Sequence, residues 1–163
     1  MTTLSVVERR IPRCVVSAIN PQQREFLQEK LDYIEKQQPK FKLLVDKLLK
    51  VGGEMVVAPA KEADLQLLLS SGTEYHNPKK ITNRDFRPNQ CHINSLYMAM
   101  SDPKLQCITG YYLMPDGLWR QHSWVAKRGL RNVLETLNKG VAYFGAPLPD
   151  AVVKRRWAAE MDF

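Results

Sequence analysis

The sequence predicts an α+β fold in which an antiparallel sheet of three to five strands packs against helices. Two observations support this fold class. Apolar residues in residues 1–72 recur mostly at the helical repeat, which indicates a mainly helical N-terminal half. Residues 107–144 instead hold short runs separated by turn sequences such as Pro115-Asp116-Gly117, which is typical of antiparallel strands.

Length and composition favour one domain over residues 1–163. Its expected parts are the helical half, a helix with an antiparallel sheet over 86–148, and a C-terminal helix over 149–163. The 44% hydrophobic and 25% charged content is that of an ordinary globular protein. No apolar run is long enough to cross a bilayer, and charges interrupt residues 1–13 where a signal peptide needs its apolar core. We therefore expect a cytoplasmic protein.

The elements of the N-terminal half follow from their start and stop signals. Asn20-Pro21 opens a helix, Pro39 separates it from a second helix, and Gly52-Gly53 ends the second. We expect both helices to be scaffold, because an amphipathic face in a small protein usually packs on its own core. The remaining predicted elements are an edge strand or arm over 4–19, a strand over 55–58, a helix over 61–70 and a long loop over 72–90 that forms one wall of a cleft.

The second half is expected to form an antiparallel meander after one helix. The predicted strands cover residues 107–113, 118–126, 130–137 and 141–144, and a helix over 151–161 closes the chain.

The stretch from Arg87 to Met100 reads as a turn that leads into a helix, with Cys91 in the first helical turn and Asn89 as its N-cap. A cysteine attacks as its thiolate, and the free N–H groups and dipole of a helix start stabilise negative charge. The same N–H groups, with the Gln90 or Asn89 side chain, are candidate donors to an oxyanion. The stretch is therefore the candidate nucleophile site, at the N-terminus of a helix.

His122 and Glu135 follow Cys91 on predicted neighbouring strands, in the order of a nucleophile, its base and the acid that orients the base. Strand alternation places Trp124 on the same face as His122, as a lid or stacking wall for a substrate. Asn132 is an alternative orienting group, whereas Asp116 lies in a turn and is a poorer one.

Two other histidines lie near enough in the sequence to be considered as the base. His76 lies in the predicted 72–90 loop and is the competing base. His92 lies about 100° round the helix from Cys91, so we interpret it as structural or as a contact to the 72–90 loop.

Each residue alone has a plainer interpretation, since a lone cysteine at a helix start is more often packed than reactive. The joint occurrence of three roles in order favours a catalytic site. Cys14 and Cys107 lack such a setting and are expected to be inert. Three cysteines without a Cys-x-x-Cys pair predict neither a disulfide framework nor a metal site, and no cofactor is implied.

These motifs resemble those of the papain-like and transglutaminase-like cysteine hydrolases. The chain has a Cys-His-x-Asn motif at 91–94, His-x-Trp at 122–124 and acid-Thr at 135–136, as bacterial and phage proteins of this kind do, and the resemblance covers about residues 86–148. It implies Cys91 as nucleophile, His122 as base and Glu135 as orienting acid, with Glu where many relatives have Asp. The superfamily includes proteases, transglutaminases, amidases and glutamine deamidases, so the fold does not choose the reaction.

The predicted reaction is attack by Cys91 on an amide or related acyl carbon of a peptide, a protein or a small amide. The thioester formed is then resolved by water or an amine. The alternative is a non-catalytic basic binding protein, phage- or effector-like, whose net charge of +7 engages an acidic protein or nucleic acid. Nucleic acid is not favoured, because no recognisable reading element accompanies the charge, and no membrane partner is expected. The sequence carries no signal for an oligomeric state.

Overall fold

A computed structural model describes residues 19–162 of the chain. The elements, in chain order, are helices α1 (Pro21–Gln37) and α2 (Phe41–Val51), strand β1 (Met55–Val56), helix α3 (Leu65–Ser71), strand β2 (Thr73–Lys80), helix α4 (Cys91–Ser101), strands β3 (Leu105–Leu113), β4 (Leu118–Lys127), β5 (Asn132–Glu135) and β6 (Ala142–Pro147), and helix α5 (Asp150–Met161). The predicted arm over 4–19, except its last residue, and Cys14 lie outside the described residues.

The mixture of helices with one sheet agrees with the prediction, but the sheet is not a plain antiparallel one. Its order is β1-β4-β3-β6-β2-β5, and β5 also pairs with β4, so the sheet closes into a barrel. The β1–β4 and β2–β5 pairs are parallel, while β3 lies antiparallel to both β4 and β6. The expected β4–β5 hairpin contact is reduced to one register pair, Val125 with Leu134.

The prediction missed strand β2, which occupies the first half of the stretch that was predicted to be a loop over 72–90. Only Tyr75 in this strand is buried, so the strand has little apolar pattern. The Asn77-Pro78 pair, which resembles a turn, is instead a bulge with Asn77 at φ 58°. A polar strand with an internal bulge has the sequence of a loop, and without β2 the barrel cannot close.

The N-terminal helices follow the predicted signals. The Asn20 side chain accepts a hydrogen bond from the Gln23 N–H, and the Gln23 side chain accepts one from the Asn20 N–H, so the start of α1 is a capping box. The predicted 61–70 helix begins later, at Leu65. None of the helices within residues 19–162 combines the length and the apolar character that a bilayer crossing requires.

The two faces of β3 and β4 have different surroundings because successive side chains alternate. One face packs on α1–α3 through residues such as Tyr111 and Trp119, and on α4 and α5 around Cys107. The other face lines the barrel interior, whose buried cluster comprises Tyr75, Ile108, Trp124, Ala126, Val133 and Tyr143. His122 alternates with Trp124 and therefore belongs to the interior face.

Two facing glycines let β3 and β6 approach closely and leave space for an aromatic ring in the barrel interior. Gly110 and Gly145 are register partners. A Cβ atom on Gly145 would lie 2.7 Å from the Trp124 ring, and one on Gly110 would lie 2.1 Å from the Phe144 carbonyl oxygen. Both positions therefore require glycine, and Gly145 allows the indole to fill the barrel beneath His122.

Candidate active site

Helix α4 begins at Cys91, as the sequence predicts, but its cap differs from the prediction. Gln90 is the N-cap and its side chain forms no capping hydrogen bond, whereas Asn89 lies one residue earlier at φ 57°. Asparagine tolerates this left-handed conformation better than most residues. The first intrahelical bond is from the Asn94 N–H to the Gln90 carbonyl, so the N–H groups of residues 91–93 precede the helical ladder.

The Asn94 side chain holds the approach to the cysteine. It is buried, its Oδ1 accepts from the Arg87 N–H at 2.8 Å, and its Nδ2 donates to the Arg87 carbonyl at 2.9 Å. Both polar groups of the Asn94 side-chain amide are thus hydrogen-bonded to the backbone of Arg87. This pair of hydrogen bonds fixes the backbone at Arg87, four residues before Cys91. Asn94, the last residue of the Cys-His-x-Asn motif, therefore has a structural role.

The structure brings Cys91, His122 and Glu135 together. The Cys91 side chain lies beside the His122 ring, close enough to raise the pKa of that ring. The Nε2 atom of His122 lies 2.9 Å from both Oε1 and Oε2 of Glu135, which leaves Nδ1 as the ring nitrogen for the thiol. Cys91 is 9% exposed, His122 1% and Glu135 0%. The three side chains form one buried cluster, in which Cys91 is the most exposed residue.

Two further donors hold the Glu135 carboxylate in place. The Leu137 N–H donates to Oε1 at 3.0 Å and the Tyr143 hydroxyl donates to Oε2 at 2.8 Å. The Tyr143 oxygen in turn accepts from the Gly140 N–H at 2.7 Å. These bonds satisfy a fully buried carboxylate, and the length of Glu, compared with Asp, spans the distance from β5 to the histidine.

The pKa of His122 is raised from its ordinary value of 6.5 to about 9. Burial is the largest single influence and would lower this pKa, but the hydrogen bonds and charges of Cys91 and Glu135 together outweigh it. The imidazolium form is therefore favoured at neutral pH. A cation between a sulfur and a carboxylate stabilises the thiolate that a nucleophilic cysteine needs.

Aromatic rings fix the plane of the His122 imidazole. Tyr112 stacks on it with ring centroids 3.7 Å apart and planes 13° apart, and Trp124 lies 6.1 Å from it at 27°. The prediction that Trp124 forms a lid or stacking wall for a substrate is wrong, because its side chain is fully buried between Tyr75 and Tyr143 inside the barrel. Trp124 supports the histidine from within.

The other candidate bases lie elsewhere. The His92 Nδ1 atom is hydrogen-bonded to the Ser123 hydroxyl, on the face of β4 opposite to His122. Although the outer side of His92 is exposed, burial of its ring lowers its pKa, as do the charges of His122 and Arg156. His76 is the register partner of Asn132, about 10 Å along β5 from Glu135 at the usual rise per residue.

The alternative orienting groups also have other partners. The Asn132 side chain accepts from the Lys127 N–H, and Asp116 forms a salt bridge with Arg120 at 2.7 Å. Burial raises the pKa of the Cys107 thiol to about 12, so this thiol is protonated. Within residues 19–162, no three His, Cys, Asp or Glu side chains are grouped so that they could hold a metal ion.

Sequence reasoning missed the two tyrosines of the site. Tyr143 lies in the predicted last strand, but its bond to Glu135 depends on the closure of the barrel, which no local pattern encodes. Tyr112 is the register partner of Arg120 on β4, two residues before His122, and strand alternation alone could have placed it on the histidine's face.

Comparison of the chain with protein-family models, with curated proteins and with solved structures found no match.

Proposed function

We propose that the protein is a cysteine hydrolase or acyl-transfer enzyme of the papain-like or transglutaminase-like kind, acting on an amide or a related acyl bond. The observation that supports this most strongly is the grouping of Cys91 with the hydrogen-bonded His122–Glu135 pair. The substrate class is a peptide, a protein or a small amide. A nucleophilic thiol must stay reduced, so the proposal puts the protein in a reducing compartment such as the cytoplasm.

In the first half-reaction the Cys91 thiolate attacks the carbonyl carbon, and the carbonyl oxygen takes the negative charge. The N–H groups at the start of α4 are the donors available to that oxygen, and the exposed Gln90 side chain is a second candidate. The His122 imidazolium gives its proton to the departing nitrogen as the carbon–nitrogen bond breaks. The products are an amine or ammonia and a thioester on Cys91.

In the second half-reaction neutral His122 takes a proton from water or from an acceptor amine, which attacks the thioester carbon. The carbon–sulfur bond breaks, the thiolate is restored and a carboxylic acid or a new amide leaves. Glu135 keeps the ring in the orientation that both steps need and stabilises the imidazolium. Hydrolysis, deamidation and transfer share the same first step and differ only in the group that leaves and the group that attacks.

The test is whether acyl chemistry depends on Cys91. The purified protein is incubated with a peptide library rich in glutamine and asparagine, and mass spectrometry records mass gains of deamidation, new peptide ends and cross-linked amines. We expect products with the wild-type protein and with Cys107→Ala, which removes a thiol that is buried away from His122, but none with Cys91→Ala. Equal product formation by Cys91→Ala would refute the proposal.

A further inference from the structure

We infer that the substrate is an acidic peptide, with Asp or Glu side chains near the attacked amide, which binds to a cationic loop beside Cys91. We define the cationic loop as residues 79–90, that is, the end of β2 and the chain that leads to α4. The inference rests on the proposed function, since it names the substrate class of the same site.

The two ends of the cationic loop adjoin Glu135 and Cys91, the outer two residues of the candidate catalytic triad. At one end the Ile81 N–H donates to the Glu135 carbonyl at 2.9 Å, and Lys80 is the register partner of Glu135. At the other end the loop runs into Cys91. The loop therefore adjoins the candidate site at both Glu135 and Cys91.

The charge of the loop is strongly one-sided. It carries Lys79, Lys80, Arg84 and Arg87 against one acid, Asp85, so that four positive charges less one negative charge leave +3. All four cationic residues are exposed, and none forms a salt bridge with another residue of 19–162. Asp85 is engaged by the Tyr97 hydroxyl, which donates to it at 3.1 Å.

Hydrogen bonds restrain the backbone of the loop near Asn83 and at Arg87. The Asn83 side chain accepts from the Asp85 N–H at 2.9 Å, and the Asn83 carbonyl accepts from the Phe86 N–H at 3.0 Å. The two bonds of Asn94 to the Arg87 backbone fix the end of the loop nearest to Cys91. A held backbone lowers the entropy that binding must overcome, so exposed cations on it favour an anionic partner more than cations on a free segment would.

Two alkylating reagents test the inference without a known substrate. The Cys91 thiolate displaces iodide from both iodoacetate and iodoacetamide and forms a carbon–sulfur bond. The two reagents differ in carrying a carboxylate or a neutral amide. The quantity measured is the ratio of their rates at Cys91, in which any change in the thiol itself cancels. We expect Arg84→Glu/Arg87→Glu to lower the ratio about tenfold, since each exposed ion pair accounts for up to about fivefold. The backbone bonds of Arg87 do not depend on its side chain.

The matched control is Lys42→Glu/Lys47→Glu, which reverses two exposed charges on α2, and we expect it to leave the ratio unchanged. An unchanged ratio in Arg84→Glu/Arg87→Glu would overturn the inference. Slow alkylation of wild-type Cys91 by both reagents would instead count against the proposed function. The two failures can be told apart, because the ratio of the two rates remains measurable even when both rates are low.

A competition experiment separates acidic peptide from nucleic acid. We expect an Asp- and Glu-rich peptide to protect wild-type Cys91 from iodoacetamide at low salt, and this protection to be lost in Arg84→Glu/Arg87→Glu. Protection by a single-stranded oligonucleotide and not by the peptide would overturn the assignment.

Discussion

Replacement of Glu135 by Gln tests the electrostatic basis of the site. The side chains have nearly the same shape, but Gln carries no charge and presents an amide where the carboxylate accepts bonds from His122, Leu137 and Tyr143. The Glu135 side chain is fully buried, so water cannot stabilise the His122 imidazolium in place of the carboxylate. The variant should therefore lower the pKa of His122.

The size of the effect follows from the pKa of His122. Its rise from 6.5 to about 9 corresponds to roughly 3 kcal/mol in favour of the imidazolium. Cys91 and Glu135 share this effect and also offset the opposing influence of burial. Loss of about half of it would lower the pKa of His122 by roughly one to two units. The unpaired donors left around the amide should also lower the free energy of unfolding by about 1–3 kcal/mol.

The pKa of His122 is measured by an NMR titration of its ring nitrogens in the wild-type protein and in Glu135→Gln. The matched control is Glu62→Gln, which removes a second buried carboxylate that bonds Tyr111 and Gln121 and does not contact His122. We expect the control to keep the raised pKa. An equal pKa of His122 in the wild-type protein and in Glu135→Gln would refute the electrostatic argument.

Three further predictions concern the surroundings of the site. Tyr143→Phe removes a donor to Glu135 and should cost about 1–2 kcal/mol in urea unfolding, whereas Tyr75→Phe, whose hydroxyl forms none of the hydrogen bonds described for residues 19–162, should cost less than half of that. Asn94→Ala frees the Arg87 backbone and should speed amide hydrogen exchange over the cationic loop at least tenfold, with exchange in β3 unchanged. Because the folded-state pKa of His122 is raised, the stabilising contribution of His122 is complete below about pH 6.5 and is lost as the pH rises through about 9. The free energy of unfolding should therefore fall over this pH range, and it should fall more in the wild-type protein than in His122→Asn.

Local signals predicted the parts of the fold that depend on local chemistry. The capping residues at Asn20-Pro21 and the Pro115-Asp116-Gly117 turn lie where the sequence places them, as does the start of α4 at Cys91. His122 and Glu135 meet because β4 and β5 are neighbours in the sheet, and Cys91 joins them because α4 packs against β4. That part of the site is readable because hairpin register and alternation are local properties.

The rest depends on the closure of the barrel, which is a long-range event. Alternation puts His122 and Trp124 on one face, but only the pairing of β2 with β5 makes that face an interior. The same closure turns Trp124 from an expected substrate contact into a buried support and brings Tyr143 onto Glu135. A strand whose only buried residue is Tyr75 gives no sequence signal for such a pairing.

The central claim is that Cys91 is a thiol activated by His122, and its rate of alkylation tests this most directly. Iodoacetamide labelling at about pH 6, followed by peptide mass spectrometry, should modify Cys91 much faster than Cys107, whose thiol is buried and protonated. In His122→Asn the rate at Cys91 should fall at least about tenfold, since the imidazolium that stabilises the thiolate is gone. A Cys91 that reacts no faster than Cys107, or equally fast with and without His122, would contradict the account.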